Sequence, residues 1–189
     1  VSKIVNQQSE ITLLVMVPLL ILMILSSPLL IKLILTDEFQ KLNFFIRIVA
    51  FGAIFQAMSF TIGYIPLAKG DKNVYFIWNA IVINSIGLVN LIIGYNLGGL
   101  NGLAYALVAH HFFTFLIFLI ITKRKYNFVT SKLLLIIFFT SIFNVGIALM
   151  AITYLSNVYG FSIALLCFLF SLIFTTIHIN RLINIRSTF

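Results

Sequence analysis

The sequence predicts an all-α polytopic membrane protein of six transmembrane helices with both termini in the cytoplasm. Three observations carry that expectation. First, 62% of the 189 residues are hydrophobic and only 8% are charged, where a soluble domain carries about a quarter of its residues as Asp, Glu, Lys or Arg; the mean hydropathy is +1.17. Second, apolar runs recur along the whole chain at the roughly 20 residues a helix needs to cross about 30 Å of hydrocarbon. Spanning strands would show shorter segments of alternating polarity, which are absent, and helices satisfy their own backbone groups where there is no water. Third, the cations are distributed unevenly over the loops. With six spans, Lys3, Lys69, Lys72, Lys123, Arg124, Lys125, Lys132, Arg181 and Arg186 fall on one side, against Lys41, with Lys32 and Arg47 at its rim, on the other. The positive-inside rule makes the richer side cytoplasmic.

The first ten residues, VSKIVNQQSE, read as a cytoplasmic loop; with no initiator Met before Val1, the sequence is expected to be a piece of a longer chain. No basic stretch, short apolar core and small-residue cleavage site occur in order, so a cleaved signal peptide is not supported. Four spans are expected within 11–122. The first, 11–35, contains Pro18 and Pro28, each of which removes a helix hydrogen bond and favours a kink. A polar loop with Asp37, Glu38 and Lys41 leads to the second span, 44–68, with Arg47 one turn in and Gln56 near mid-depth. Lys32 and Arg47 therefore share one rim. There they either snorkel and pair with Asp37 and Glu38, or hold a phosphate group.

Lys69-Gly-Asp-Lys72 is a tight loop in which Gly70 can supply a positive φ. The third span, 75–97, carries Asn79, Asn84 and Asn90. On an α-helix Asn79 and Asn90 fall within about 20° of one face and Asn84 points elsewhere. Such amides either join helices or line a polar path. After the uncharged turn Gly98-Gly99-Leu100-Asn101, the fourth span runs to 122, and its Gly102, Ala106 and Ala109 form a seam that lets another helix approach closely. His110 and His111 sit near mid-membrane, about 100° apart around the helix, so they do not chelate one metal in the i, i+4 manner. His110 is either a hydrogen-bonded core residue or one that faces substrate or a proton path.

A basic cytoplasmic loop, 123–132, precedes two terminal helices within 133–180, read as 133–155 and 161–180, and 181–189 form a cytoplasmic tail. Cys167, the one cysteine, lies in an apolar run, so neither a disulfide framework nor a thiolate metal cluster is expected. Glu10, Asp37, Glu38 and Asp71, the full set of carboxylates, all fall in expected loops. No phosphate loop, GxSxG, HExxH or CxxC occurs, so no catalytic residue, metal ligand or cofactor is assigned. The net charge of +8 reports topology, and nucleic acid is not an expected partner. What remains is the makeup of a transporter or of a membrane scaffold.

The run FFIRIVAFGAIFQAMSFTIGYIPLAKGDKNVYF (44–76), the Asn-rich third span and NLGGLNGLAYAL (96–107) resemble the C-terminal part of bacterial polysaccharide flippases, the Wzx-like proteins. Their superfamily also contains MATE-type multidrug exporters. The shared patterns are GYxxLAKGD and a GxxGxA that opens the next helix, and the likeness covers about 1–128. It implies a fold of two pseudo-symmetric lobes around a central cavity, in which these six spans are most of the second lobe, helices nine to fourteen, and the N-terminal half is missing from this sequence. It implies alternating-access movement of an undecaprenyl-diphosphate-linked oligosaccharide across the bacterial inner membrane, without bond chemistry, and hence no enzyme activity. Membrane lipid is an expected partner, and H⁺ or Na⁺ coupling is an open possibility. The last two helices would lie beside a groove for the lipid tail. From depth and polarity, the candidate substrate-binding residues are Lys32, Arg47, Gln56, Asn79, Asn84 and His110. The alternatives are a MATE-type cation-coupled drug exporter, a non-transporting scaffold, and an embedded glycan-modifying enzyme acting through His110.

Overall fold

The structure, a computed structural model, describes the backbone of residues 1–34 and 37–187, and the side chains of these except 37, 38 and 181–187. Its elements are α1 (Ser2–Ile34), a 3-10 turn (Asp37–Lys41), α2 (Leu42–Gly63), the short α3 (Ile65–Ala68) and α4 (Lys72–Tyr75), a π-helical stretch (Phe76–Ile83), α5 (Asn84–Tyr126), α6 (Lys132–Tyr154) and α7 (Asn157–Ser187). No strand occurs among the described residues. Five helical segments are long and apolar enough to cross a membrane: Ser2–Ile34, Phe39–Ala68, Lys72–Tyr126, Lys132–Tyr154 and Asn157–Asn180.

The third of these is 55 residues long, about twice what a bilayer needs, and it doubles back. Gly98 (φ −145°, ψ 17°) and Gly99 (φ 55°, ψ −134°) leave helical geometry, and the chain on either side meets itself in antiparallel register. The Gly94 carbonyl abuts Gly102, Asn90 Nδ2 donates to the Ala106 carbonyl at 2.7 Å, and the His110 ring lies against Gly87. Gly99 is the residue type this turn requires, because a side chain at its φ and ψ is strained. The expected seam of Gly102 and Ala106 is real, and its partner is the preceding arm of the same hairpin.

α1 packs against α2, α6 and α7, and α2 packs against α5 and α6. Phe55 links three helices: its ring makes edge contacts with Phe112 of α5 at 5.2 Å and Phe138 of α6 at 6.1 Å. Each such pair adds about 0.5–1.5 kcal/mol through ring geometry. That counts for more here than in water, since lipid supplies no hydrophobic drive to bring helices together.

Both prolines of α1 lie inside the helix, and each leaves the carbonyl four residues back without its usual donor. For Pro28 that carbonyl is Ile24, which receives the Ser27 hydroxyl at 3.0 Å. For Pro18 it is Leu14, which receives the Thr175 hydroxyl of α7 at 2.6 Å. Substitute donors of this kind are what make proline tolerable in a membrane helix.

Several expected boundaries move. Residues 1–10 are not a loop, since α1 begins at Ser2. Its first turns are held by the loop before α6: Asn6 Nδ2 donates to Val129 O at 2.8 Å, the Ser131 amide donates to Asn6 Oδ1 at 3.2 Å, and the Ser131 hydroxyl donates to Glu10 at 2.6 Å. Glu10 is 3% exposed on this helix, where a loop carboxylate was expected. A carboxylate can be this buried because it has a hydroxyl partner. The basic loop shortens to 127–131, because α5 continues through Lys123, Arg124 and Lys125 to Tyr126. Cations suit a helix C-terminus, and Asn127 ends the helix in left-handed geometry (φ 51°). The tail is helical as far as Ser187. The side chains of Asp37, Glu38, Arg181 and Arg186 lie outside the described set.

The Lys69–Lys72 turn behaves as expected, with Gly70 at φ 77°, and Asp71 clasps it to the end of α5. Asp71 Oδ2 accepts from Lys125 Nζ at 2.7 Å and from the Tyr126 hydroxyl at 2.9 Å. These bonds, that of Lys125 first and that of Tyr126 next, hold the Asp71 carboxyl below its ordinary value of 3.8. A depressed folded-state value means that the clasp stabilises fully above that ordinary value and stops doing so as pH falls through the folded one. Thermal melts of the detergent-solubilised protein should therefore lose stability on acidification from about pH 5 toward pH 2. Asp71→Asn should remove the part of that loss due to Asp71 and lower the neutral-pH melting temperature; an unchanged acid limb would discount the clasp.

Candidate functional site

A cavity of about 200 Å³ opens between α2, the π-helical stretch and the second arm of α5. From α2 come Gln56, Ser59, Phe60 and Gly63, spaced i, i+3, i+4, i+7 and so on one face. The second arm of α5 gives His110, Thr114 and Phe118 at the same kind of spacing, together with His111. The third wall holds Tyr75, Asn79 and Asn84.

This third wall overturns the expectation that Asn79 and Asn90 share a face while Asn84 points away. Residues five apart diverge by about 140° on an α-helix, but Phe76–Ile83 is π-helical, and hydrogen bonds running i to i+5 bring positions five apart toward one side. Asn79 and Asn84 therefore face the cavity together, and Asn90 is spent on the Ala106 carbonyl within the hairpin. Nothing in the apolar run FIWNAIVI announces a π-helix, and π-turns are frequent at functional sites.

Four of the six candidate residues, Gln56, Asn79, Asn84 and His110, thus converge. Among the described residues, the side chains of Gln56, Asn79, His110 and His111 make no hydrogen bond within the protein, and His110 Nδ1 is buried without a partner. Asn84 Nδ2 donates only to its own helix, at Ala80 O, 3.1 Å. A buried polar atom without a partner is costly unless water or a ligand meets it, which applies here to His110 Nδ1, whereas Gln56 and Asn84 are exposed. Aromatic faces flank the opening: Tyr64 and Tyr75 stack at 6.0 Å, and Phe60 meets Tyr64 edge-on at 4.9 Å. Among the described residues, no Asp, Glu, Lys or Arg lines the cavity. The arrangement can bind an uncharged, hydroxyl-rich group through amides, imidazoles and rings. His111, Ser59, Thr114, Tyr64 and Tyr75 were not singled out as site residues; the i+4 spacing from His110 was the signal available for Thr114.

The other two candidates lie elsewhere. Arg47 lines a second cavity beside α7, and its Nε donates to the Ser27 hydroxyl at 2.9 Å. Lys32 is exposed on α1 and lines neither cavity. Their pairing with Asp37 or Glu38 falls outside the described side chains. No group of three or more His, Cys, Asp or Glu among the described residues could hold a metal ion.

Fold and site together define an all-helical, multi-pass membrane protein with a polar, uncharged cavity between its helices. No family model, curated protein or solved structure matches the chain.

Proposed function

We propose that this chain is most of the second lobe of a two-lobe transporter that moves a lipid-linked oligosaccharide across a bacterial inner membrane by alternating access. The observation that carries the reading is the convergence of Gln56, Asn79, Asn84 and His110 on one uncharged cavity within an apolar bundle. Amides and imidazoles with free hydrogen-bonding capacity beside aromatic rings suit sugar hydroxyls, and they give a fixed cation or a drug-like cation no charge to pair with. At about 200 Å³ the cavity is smaller than the roughly 300–1,000 Å³ of ordinary ligand pockets, so it holds part of a larger glycan, the rest meeting the opposite lobe. Counting the α5 hairpin as two crossings makes six. On this reading both termini lie on one side, and the cation distribution supports the cytoplasmic one.

The test replaces Gln56, Asn79 and His110 by Leu together in the otherwise intact gene, in cells that have no other copy. Three lost hydrogen bonds at about 1 kcal/mol each should lower surface polysaccharide more than about tenfold, with the protein still at normal level in the membrane fraction. Unchanged polysaccharide at normal protein level would sink the reading. Altered drug sensitivity in its place would favour the exporter, and a changed glycan composition would favour an embedded enzyme.

A further inference from the structure

Arg47 and Gln56 are nine positions apart on α2, which puts them on opposite faces and roughly 13 Å apart along the axis. The Arg47 cavity, about 290 Å³, is therefore separate from the polar cavity of the transport reading. It is bounded by Leu25 and Pro28 of α1, Arg47 of α2, Ile152 of α6, and Asn157, Gly160 and Phe161 at the start of α7.

The guanidinium is aimed by a chain of bonds that begins with a proline. Pro28 leaves the Ile24 carbonyl without a backbone donor, so the fully buried Ser27 spends its single proton there, at 3.0 Å. Its oxygen is left as an acceptor and takes Arg47 Nε at 2.9 Å. A guanidinium has five N–H donors. One is used, and among the described residues no carboxylate or other side chain takes the remaining four.

The opposite wall also offers donors. Gly160 N bonds to Ser156 O at 2.8 Å, which makes it the first α7 amide with an i−4 acceptor, so the amides of 157–159 are the unpaired ones of a helix start. Gly160 brings this turn close to α6: a Cβ there would sit 2.5 Å from the Ala151 carbonyl. A half-buried guanidinium, with Asn157 of the first turn of α7 on the wall of the same small cavity, is complementary to a tetrahedral oxyanion. The other lining side chains, Leu25, Pro28, Ile152 and Phe161, are apolar and match the start of an acyl chain.

We propose that this cavity holds the phosphate group of a membrane phospholipid, bound by Arg47 and the first turn of α7. The lipid would bridge α2 to α7 at the end of the bundle away from the Asp71 clasp, whether or not the chain transports glycan.

Native mass spectrometry of the intact chain in detergent tests this, with phosphatidylglycerol compared against diacylglycerol of the same acyl chains. Wild type should retain phosphatidylglycerol in preference. Arg47→Gln should retain about tenfold less, Arg47→Lys an intermediate amount, and Arg124→Gln, at an exposed cation on α5, as much as wild type, all at unchanged helicity. Equal retention of the two lipids by wild type would overturn the proposal without recourse to any variant, as would equal retention by Arg47→Gln and Arg124→Gln. Displacement of the lipid by equimolar inorganic phosphate would assign the cavity to free phosphate and overturn the lipid source.

Discussion

Replacing Gly102 by Val should cost about 3 kcal/mol of folding free energy or more, the upper end for overpacking, because the added Cβ meets a backbone atom. The Gly94 carbonyl stands against the Gly102 Cα, and Gly94 in turn faces Ala106. Neither arm of the hairpin can yield by turning a side chain; they must separate, and separation breaks the bond from Asn90 to the Ala106 carbonyl. The consequence reaches the site, since His110 is held against Gly87 further along the same seam. Gly98→Ala is the control, because a Cβ there meets nothing within 4 Å. Reversible unfolding in mixed micelles should show a large loss for the first variant and little for the second. Equal stabilities would mean that the hairpin arms are not in close register.

The second large effect is expected at Thr175. Changing it to Val keeps the shape and removes the hydroxyl that serves the Leu14 carbonyl at 2.6 Å. Leu14 is 2% exposed, so no water replaces the donor, and an unsatisfied buried acceptor costs about 2 kcal/mol. The cause is Pro18, so the effect should depend on it. In a Pro18→Ala background the backbone regains an N–H directed at the Leu14 carbonyl, and Thr175→Val should then cost less than about 0.5 kcal/mol. Equal costs in the two backgrounds would detach the threonine from the proline and leave it an ordinary packing residue.

The donors that serve these carbonyls cannot be read from the sequence, although the prolines that orphan them can. Pro18 and Pro28 announce two orphaned carbonyls, but Ile24 is served by its neighbour Ser27 and Leu14 by a residue 161 positions away. The same holds for the hairpin. Gly98, Gly99, Gly102 and Ala106 mark a turn and a seam, which the sequence reading identified, whereas the partner of the seam depends on how the chain reverses. At the site, depth and polarity picked out Gln56, Asn79, Asn84 and His110. What failed was helical phase, since 100° per residue separates Asn79 from Asn84 and one π-helical stretch reunites them. Arg47 and Lys32, grouped by depth with the others, stand apart because depth along a helix says nothing about which face a residue occupies.

By itself the sequence determined the all-helical membrane class and the short roster of polar side chains within its apolar segments. The reason is that a bilayer imposes length and hydropathy on each segment separately, so local composition is sufficient. Tertiary structure alone decided which of those polar groups meet: the cavity of Gln56, Asn79, Asn84 and His110, the bond from Arg47 to Ser27, and the burial of Glu10 under Ser131. In lipid, helices are matched by close packing, small-residue seams and single hydrogen bonds. Each of these depends on the relative rotation of two helices, a quantity that no single segment encodes.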